Sequence, residues 1–250
     1  MELSLGGRTA LITGAATGIG RATALALGAA GARVIVNHLG QADEADAVVL
    51  QLCNNGREAM AVEADVSDGA QVAALVAAAE DRFDAVDLLV NNAGVLLERP
   101  FLELTEADWD RVMNVDLKAV FLCCRAALPG MRRRGHGCVI NIASELGYLG
   151  RAGYAAYAAA KAGVITLTRS LAREFAPAIR VNAVAPGPVA TPMLDPSVMS
   201  ADTLAKESDI PMGRVGRPDE IAATVVFLAS DQAAFYCGQV LGANGGALMA

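Results

Sequence analysis

The amino-acid sequence predicts an α/β protein, with a doubly wound parallel sheet of about seven strands that helices cover on both faces. Short β-branched runs alternate with longer alanine-rich stretches, and no hairpin signal separates them. Hydrophobic residues make up 54% of the chain and aromatic residues only 4%, which is typical of aliphatic helices packed on buried parallel strands. The length suits a single domain over residues 1–250.

The strands and helices follow in strict alternation. Strands are predicted at Thr9–Thr13, Arg33–Asn37, Ala59–Glu63, Leu88–Asn91, Cys138–Ile142, Arg180–Val184 and Gln239–Leu241. Helices are predicted near residues 18–30, 41–54, 68–82, 105–134, 154–176 and 217–230. Because each helix joins two strands without a tight turn, the crossovers should be right-handed and the strands parallel.

One segment interrupts this alternation. Between Pro186 and Pro218 the chain carries several Gly and Pro residues around a weakly amphipathic middle. The segment follows the carboxyl end of a strand, where ligands bind in sheets of this kind. We therefore interpret residues 188–216 as a substrate lid rather than as a plain surface loop.

The charge balance argues against a nucleic-acid partner. The net charge is -7, and no basic stripe is present to neutralise phosphates. We interpret the one basic run, Arg132–Arg134, as a solvated helix end that complements the helix dipole. No apolar run approaches the roughly 20 residues of a membrane span, and no secretory signal precedes the first strand. These features predict a cytoplasmic protein with no membrane partner.

The cysteines and histidines suggest no metal site. Five cysteines, an odd number, show neither C-x-x-C nor Cys/His ligand spacing. They are interpreted as small core residues in a reducing compartment. His38 and His136 have no serine or carboxylate partner at a suggestive spacing, so both are predicted to lie on the surface and a hydrolase triad is not expected.

A glycine-rich turn connects the first strand to the first helix, over Thr13–Gly20. Gly14 permits a tight turn, Gly18 lets the backbone approach a pyrophosphate, and Gly20 allows helix and strand to pack closely. The helix N-terminus then offers free N–H groups to the phosphates. A glycine-rich turn alone is a weak signal, but its position between strand and helix favours a dinucleotide site.

A second group of residues suggests acid–base chemistry. Tyr157 and Lys161 are four residues apart, so they share one face of a helix. A free tyrosine titrates near about 10, and the ammonium of Lys161, aided by the positive charge of an oxidised nicotinamide, could stabilise the phenolate. Tyr154 lies on the same helix without a lysine partner. Ser144 follows a strand, where its hydroxyl could polarise a carbonyl.

These motifs together resemble the short-chain dehydrogenase/reductase family. The resemblance rests on T-G-x-x-x-G-x-G at Thr13–Gly20, N-N-A-G at Asn91–Gly94 and Y-x-x-x-K at Tyr157–Lys161. It continues through Asp65-Val66, Asn114, Ser144, Pro186-Gly187 and Asn244–Gly246. Within the family, 3-oxoacyl-acyl-carrier-protein reductases and bacterial glucose dehydrogenases look most similar. The resemblance implies a Rossmann-type, NAD(P)-dependent oxidoreductase that transfers a hydride between a nicotinamide and a carbonyl or secondary alcohol.

The resemblance also assigns roles to particular residues. The catalytic residues would be Asn114, Ser144, Tyr157 and Lys161, with the Asn114 backbone contributing to a water chain that ends at Lys161. The cofactor-binding residues would be Gly14, Thr17, Gly18, Ile19, Gly20, Asn37, His38, Asp65, Val66, Asn91, Ala93, Gly94, Tyr157, Lys161, Pro186, Gly187, Val189 and Thr191. Asp65 would bind the adenine, Asn91 the adenosine side and Thr191 the carboxamide. From the sequence alone, Asp65 could instead cap a helix, Asn91 could be a turn residue, and Asn114 resembles an ordinary mid-helix residue.

Three positions depart from the family pattern. The second strand ends in Asn37-His38-Leu39, without the carboxylate that NAD-selective members use for the ribose hydroxyls. Thr17 stands where many NADP-selective reductases carry an arginine, and Ala143 stands where a serine commonly precedes the catalytic one. We therefore expect NADP(H) to be slightly preferred, with NAD(H) as the alternative.

Substrate and assembly are left more open. The expected substrate is a 3-oxoacyl-type or small ketone; a sugar or polyol dehydrogenase and a non-catalytic NAD(P)-binding sensor or scaffold are the alternatives. Arg132–Arg134 and Arg173 lie where related reductases dock acyl carrier proteins, although the net charge opposes that partner. A free terminus is usually polar, so the apolar tail Ala247–Ala250 should pack against either its own subunit or a second one. Relatives form tetramers, which implies a homotetramer built through this tail, the helix near 217–230, and the helices near 105–134 and 154–176.

Overall fold

A computed structural model describes residues 3–249. Seven parallel strands form one sheet in the order β3-β2-β1-β4-β5-β6-β7. The strands are β1 (Thr9–Ile12), β2 (Arg33–His38), β3 (Ala59–Glu63), β4 (Leu88–Asn91), β5 (Gly137–Ile142), β6 (Ile179–Val184) and β7 (Val240–Leu241). The predicted doubly wound α/β class is confirmed, and no strand end differs from the prediction by more than one residue.

Helices cover both faces of this sheet. They are α1 (Gly18–Ala29), α2 (Ala42–Asn54), α3 (Gly69–Phe83), α4 (Glu106–Met113), α5 (Ala119–Arg134), α6 (Leu146–Leu149), α7 (Ala155–Phe175), α8 (Ala201–Ser208) and α9 (Pro218–Ala229). Short 3₁₀ turns occupy Phe101–Glu103 and Asp231–Ala233. No helix within residues 3–249 is both long enough and apolar enough to cross a membrane.

The core is divided by the sheet into two apolar layers. Successive strand residues point to opposite faces, so Ile12 packs in one layer and Leu11 in the other, both fully buried. The first layer lies under α1, α2 and α9, and the second under α3, α5 and α7. Leu27 of α1 and Met131 of α5 are among the largest fully buried side chains of the two layers.

The predicted helix over 105–134 is interrupted. It begins with a capping box, in which Thr105 and Asp108 satisfy each other's backbone amides. A π-helical turn then spans Asn114–Lys118, and the amide of Ala119 donates to the carbonyl of Asn114. Asn114 therefore lies in a π turn and not in the middle of a regular α-helix. Such turns are rare and occur frequently at functional sites.

Several predictions about individual residues are wrong. His38 is buried, with 5% of its surface exposed, because β2 extends through it. Arg134 is not simply solvated, since it donates to the carbonyl of Val86 at 2.6 Å. Cys53 and Cys237 are exposed rather than in the core. The cap of α3 is Asp68, which accepts from two backbone amides, so Asp65 does not serve that purpose.

Candidate active site

A cleft of about 940 Å³ opens at the carboxyl ends of the strands. Its lining comes from the loops after β1, β2, β3, β4, β5 and β6. The loop after β1 lies at the centre, because β2 and β4 flank β1 on opposite sides. The chain therefore reverses direction across the sheet at this point, and such switch points are where ligands bind in open α/β sheets.

The glycine loop is shaped so that side chains would obstruct it. Gly14 and Gly18 have φ angles of +60° and +55°, which other residues rarely adopt. A Cβ on Gly14 would lie 3.0 Å from the Cα of Ala93, and one on Gly18 would lie 3.3 Å from Thr191 Cγ2. A Cβ on Gly20 would collide with the carbonyl of Gly14. The third glycine thus allows close packing, as predicted, and does not line the cleft.

The loop presents an open helix N-terminus to the cleft. Thr17, the residue before α1, makes no side-chain hydrogen bond to the first turn, so the first amides of the helix are left for a ligand. Those amides and the helix dipole favour an anionic group. A dinucleotide pyrophosphate fits this cradle, because no side-chain cap occupies the first-turn amides and Gly18 lines the cleft without a side chain.

A second loop, after β4, braces the glycine loop. Thr13 Oγ1 accepts from the amides of Asn92 and Ala93 at 2.9 and 3.0 Å. Asn92 Nδ2 donates to the carbonyls of Thr13 and Gly14, both at 2.9 Å. Asn91, in contrast, is buried in the sheet and donates to Asn141 Oδ1 at 2.8 Å. Asn92 lines the cleft, whereas the contact of Asn91 with the adenosine remains a prediction.

The adenosine end differs from expectation at Asn37. Its side chain is 2% exposed; Oδ1 accepts from the amide of Gly14 at 3.3 Å, and Nδ2 donates to the carbonyl of Ala64 at 3.0 Å. Asn37 therefore supports the glycine loop from below. His38 and Leu39 line the cleft beyond it.

Three of the predicted catalytic residues, Ser144, Tyr157 and Lys161, meet at the other end of the cleft. Tyr157 and Lys161 project from α7, and Lys161 Nζ lies 5.5 Å from the centre of the Tyr157 ring. Lys161 Nζ also donates to the carbonyl of Ile142 at 3.1 Å. Ser144 follows β5, and its Oγ accepts from the amide of Leu146 at 3.2 Å. All three residues line the same cleft.

Asp116 joins this group, which the sequence did not predict. It is fully buried in the π turn, its Oδ1 accepts from the amide of Val95 at 2.8 Å, and its Oδ2 lies 3.4 Å from Lys161 Nζ. The Asp116–Lys161 pair leaves little room for a side chain at Gly94, because a Cβ there would lie 3.2 Å from Asp116 Oδ2. An acidic residue between Val115 and Leu117 was the only signal in the sequence.

Burial and charge act against each other on these groups. Burial raises the pKa of Tyr157, the charge of Lys161 lowers it in part, and Asp116 raises it again. Burial opposes the charge of Lys161, but Asp116 and Tyr157 outweigh it and raise the pKa of the ammonium. Burial also raises the pKa of Asp116, against the effect of Lys161. In the protein alone Lys161 therefore does not activate Tyr157 fully; the positive charge of an oxidised nicotinamide would add to its effect.

A cluster of charged residues lines the remaining part of the cleft. Arg151 donates to both carboxylate oxygens of Glu207 on α8, at 3.1 and 2.5 Å. Tyr154 donates to Glu98 at 2.7 Å, so this second tyrosine has a structural partner. Glu145 lies beside Ser144, and burial followed by the charge of Glu207 raises its pKa to about 8.

Most of the predicted site residues converge on this cleft. Its lining includes Gly14, Thr17, Gly18, Ile19, Asn37, His38, Asp65, Val66, Ala93, Gly94, Asn114, Ser144, Tyr157, Lys161, Pro186, Gly187, Val189 and Thr191. Asp65 Oδ1 accepts from the amide and the hydroxyl of Ser67 at 2.8 and 2.7 Å, which shapes the loop after β3. Within residues 3–249, no group of His, Cys, Asp or Glu is arranged to hold a metal ion.

Comparisons with known proteins agree with this geometry. The family model described as "Enoyl-(Acyl carrier protein) reductase" matches residues 14–247. A 3-oxoacyl-[acyl-carrier-protein] reductase of Synechocystis is 43% identical over 98% of this chain and 99% of its own. A cis-4-hydroxycyclohexanecarboxylate dehydrogenase of Sinomonas cyclohexanicum is 44% identical over 96% of each chain.

A solved structure shows the same architecture. The crystal structure of a dehydrogenase/reductase from Sinorhizobium meliloti 1021 superposes with a TM-score of 0.94 at 35% identity, covering 99% of this chain and 98% of that one. These similarities extend over nearly the whole sequence, and they include the glycine loop and the Tyr157–Lys161 pair. The chain is therefore an NAD(P)-dependent oxidoreductase that belongs to the short-chain dehydrogenase/reductase family.

Proposed function

We propose that this protein reduces a 3-oxoacyl-type or small ketone with NADPH. The observation that carries the proposal is the placement of Ser144, Tyr157 and Lys161 in the cleft that also holds the glycine loop. The Synechocystis relative is named a 3-oxoacyl-[acyl-carrier-protein] reductase, which supports the substrate class. A non-catalytic sensor would not require a buried lysine beside an acid–base tyrosine.

The proposed mechanism uses each member of the trio at a defined atom. A bound nicotinamide supplies the hydride for the carbonyl carbon. The hydroxyl of Ser144 donates a hydrogen bond to the carbonyl oxygen, and the phenol of Tyr157 gives that oxygen its proton. The ammonium of Lys161 stabilises the phenolate that remains. Asp116 and the carbonyl of Ile142 hold this ammonium beside the ring of Tyr157.

The preference for NADPH is proposed on the residues at the end of β2. His38 and Leu39 line the cleft there, and neither carries a negative charge that would repel a 2′-phosphate. Asn37 is committed to the glycine loop, so it does not select between the nucleotides directly. Kinetic comparison of NADPH and NADH tests this part of the proposal.

We also propose that residues 188–216 form a lid over the cleft. Thr191 and Pro192 lie next to Gly18, at the pyrophosphate cradle. Glu207, on α8 of the same segment, binds Arg151 on the opposite wall. The amide of Met212 donates to the carbonyl of Gly245 at 3.0 Å, which ties the end of the segment to the C-terminal loop.

The proposed assembly is a homotetramer with dihedral symmetry. Phe121 on α5 is 45% exposed and lies in an apolar groove between α5 and α7. Phe235 is fully exposed and Met249 is 78% exposed, near the C-terminal strand. Large apolar side chains exposed on two separate faces support two isologous interfaces. Ala250, the last residue of the predicted tail contact, lies outside the described residues.

A substrate panel tests the proposed reaction. Oxidation of NADPH should be measured with 3-oxoacyl thioesters, simple ketones and a sugar or polyol in the reverse direction. Turnover of 3-oxo compounds and not of polyols is expected; the opposite result would favour the sugar dehydrogenase.

Charge reversal of the exposed Arg133 and Arg173 should weaken reduction of a carrier-bound substrate and spare a small ketone. Equal effects on both substrates would contradict carrier docking.

We place the enzyme in the cytoplasm, where its five free cysteines would remain reduced.

A further inference from the structure

A carboxyl group without a hydrogen-bond partner lies at the substrate end of the cleft. Glu145 directly follows Ser144, and 7% of its surface is exposed. Its Oε2 atom is buried and meets no donor among the described residues. Burying a polar atom costs free energy unless something satisfies it. No hydrogen bond within the described residues offsets the cost of burying this atom.

The neighbours of Glu145 leave its side chain free. Arg151 is the cation whose charge acts on Glu145. Both of its terminal nitrogens, however, bind Glu207. The amide of Glu145 donates to the carbonyl of Pro186 at 3.1 Å, which fixes the main chain. Gly187 provides the space for the carboxyl, since a Cβ there would lie 2.8 Å from Oε2. The structure therefore accommodates this carboxyl without binding it.

The protonation state makes Glu145 a donor. Burial, followed by the charge of Glu207, raises the pKa of Glu145 to about 8, against a smaller lowering by Arg151. Near neutral pH the group is largely a carboxylic acid, which donates one hydrogen bond and still accepts others. Tyr157 is the other titratable group that faces it.

We propose that Glu145 is a specificity-determining residue that donates a hydrogen bond to a second oxygen atom of the substrate. Because Glu145 is adjacent to Ser144, the oxygen it binds lies near the carbonyl held by Ser144 and Tyr157. A 3-oxo ester or thioester has such an oxygen, on the carbonyl two carbons from the reacting one. A simple ketone has none and would leave the acid unsatisfied. The inference rests on the proposed reductase function and narrows its substrates to these dicarbonyl compounds.

Two ketones of equal chain length test the inference. Ethyl 3-oxobutanoate carries the second carbonyl, and 2-heptanone does not. For Glu145→Met, the ratio of kcat/KM with the ester to kcat/KM with 2-heptanone should fall roughly ten- to hundredfold. Glu145→Gln should retain most activity with the ester, because its amide still donates. Glu145→Leu replaces Glu145→Met if thermal denaturation shows that the latter is unfolded.

The possible outcomes separate this inference from the reaction itself. Equal losses with both ketones, or no loss with either, would overturn the role of Glu145 and leave the reductase intact. A third substrate, 4-hydroxybutan-2-one, carries a hydroxyl in place of the second carbonyl. A loss confined to this substrate would assign Glu145 to a hydroxyl and overturn the carbonyl assignment. If the unaltered enzyme reduces no ketone with either nucleotide, the proposed function fails and this inference fails with it.

Discussion

Glu207→Gln should loosen the proposed lid, residues 188–216, without unfolding the domain. The ion pair with Arg151 joins α8 to the opposite wall of the cleft, and the two side chains are only 8% and 25% exposed. Removing one partner of a buried pair costs roughly 3–5 kcal/mol. Since Arg151 keeps some contact with water and glutamine can still accept one bond, we expect about 2 kcal/mol here. That free energy corresponds to roughly a thirtyfold change in the equilibrium between open and closed lid.

Hydrogen exchange measures this change locally. Backbone amides of α8 should exchange about thirtyfold faster in Glu207→Gln, while amides of the central strands keep their rates. Lys206→Gln is the matched control, because Lys206 is the exposed neighbour on the same helix and contributes little to the lid. Unchanged exchange in α8 would refute the role of the pair. Faster exchange throughout the sheet would show that the pair stabilises the whole domain instead of the lid.

Four further predictions concern the catalytic trio, the nucleotide and the assembly. Tyr157→Phe should lower kcat at least about a hundredfold and leave nucleotide affinity intact, whereas retention of half the activity would exclude the proposed acid. Lys161→Met should abolish turnover and lower Tm by leaving Asp116 buried without its partner, and adding Asp116→Asn should recover part of that Tm. His38→Asp should shift the ratio of kcat/KM from NADPH toward NADH, whereas Asn37→Asp should weaken both nucleotides, because a carboxylate cannot donate to the carbonyl of Ala64. Wild-type preference for NADH would contradict this assignment. Deletion of residues 247–250 should shift a tetramer toward dimers in light scattering; an unshifted tetramer would place the tail within its own subunit, and a native monomer would refute the assembly.

Local spacing explains why part of the site was predictable. The glycine loop is contiguous, and Tyr157 and Lys161 are one helical turn apart, so each motif fixes its own geometry. Their order along the strand–helix pattern then places both motifs at the carboxyl edge of the sheet. The five inner strands followed in the same way, because buried parallel strands are short continuous apolar runs.

The parts that sequence could not supply depend on long-range contacts or side-chain direction. Arg151 and Glu207 are 56 residues apart, and nothing in either local sequence predicts that they meet. Asn37 was predicted to bind the cofactor from the family resemblance. Its Oδ1 accepts from the amide of Gly14 and its Nδ2 donates to the carbonyl of Ala64, and the local sequence does not reveal these contacts with two other loops. The π turn that carries Asp116 differs from an α-helix only in its hydrogen bonding, and an apolar pattern does not reveal it.

The ionisation of Glu145 should be visible in the stability of the protein itself. Its pKa is raised from 4.5 to about 8 in the folded state, so the folded protein holds this proton more tightly than the unfolded chain. The resulting contribution to stability is fully present below about pH 4.5 and is lost as the pH rises toward about 8. Glutamine does not titrate, so Glu145→Gln should lack this loss. The two proteins should have similar Tm values near pH 5, and the variant should be more stable at pH 8 by about 3 kcal/mol, or roughly 10 °C. Thermal denaturation across this range, with the exposed Glu103→Gln as control, measures the difference. Parallel curves for the variant and the unaltered protein would show that Glu145 is already ionised at neutral pH, and would remove the basis for its role as a hydrogen-bond donor.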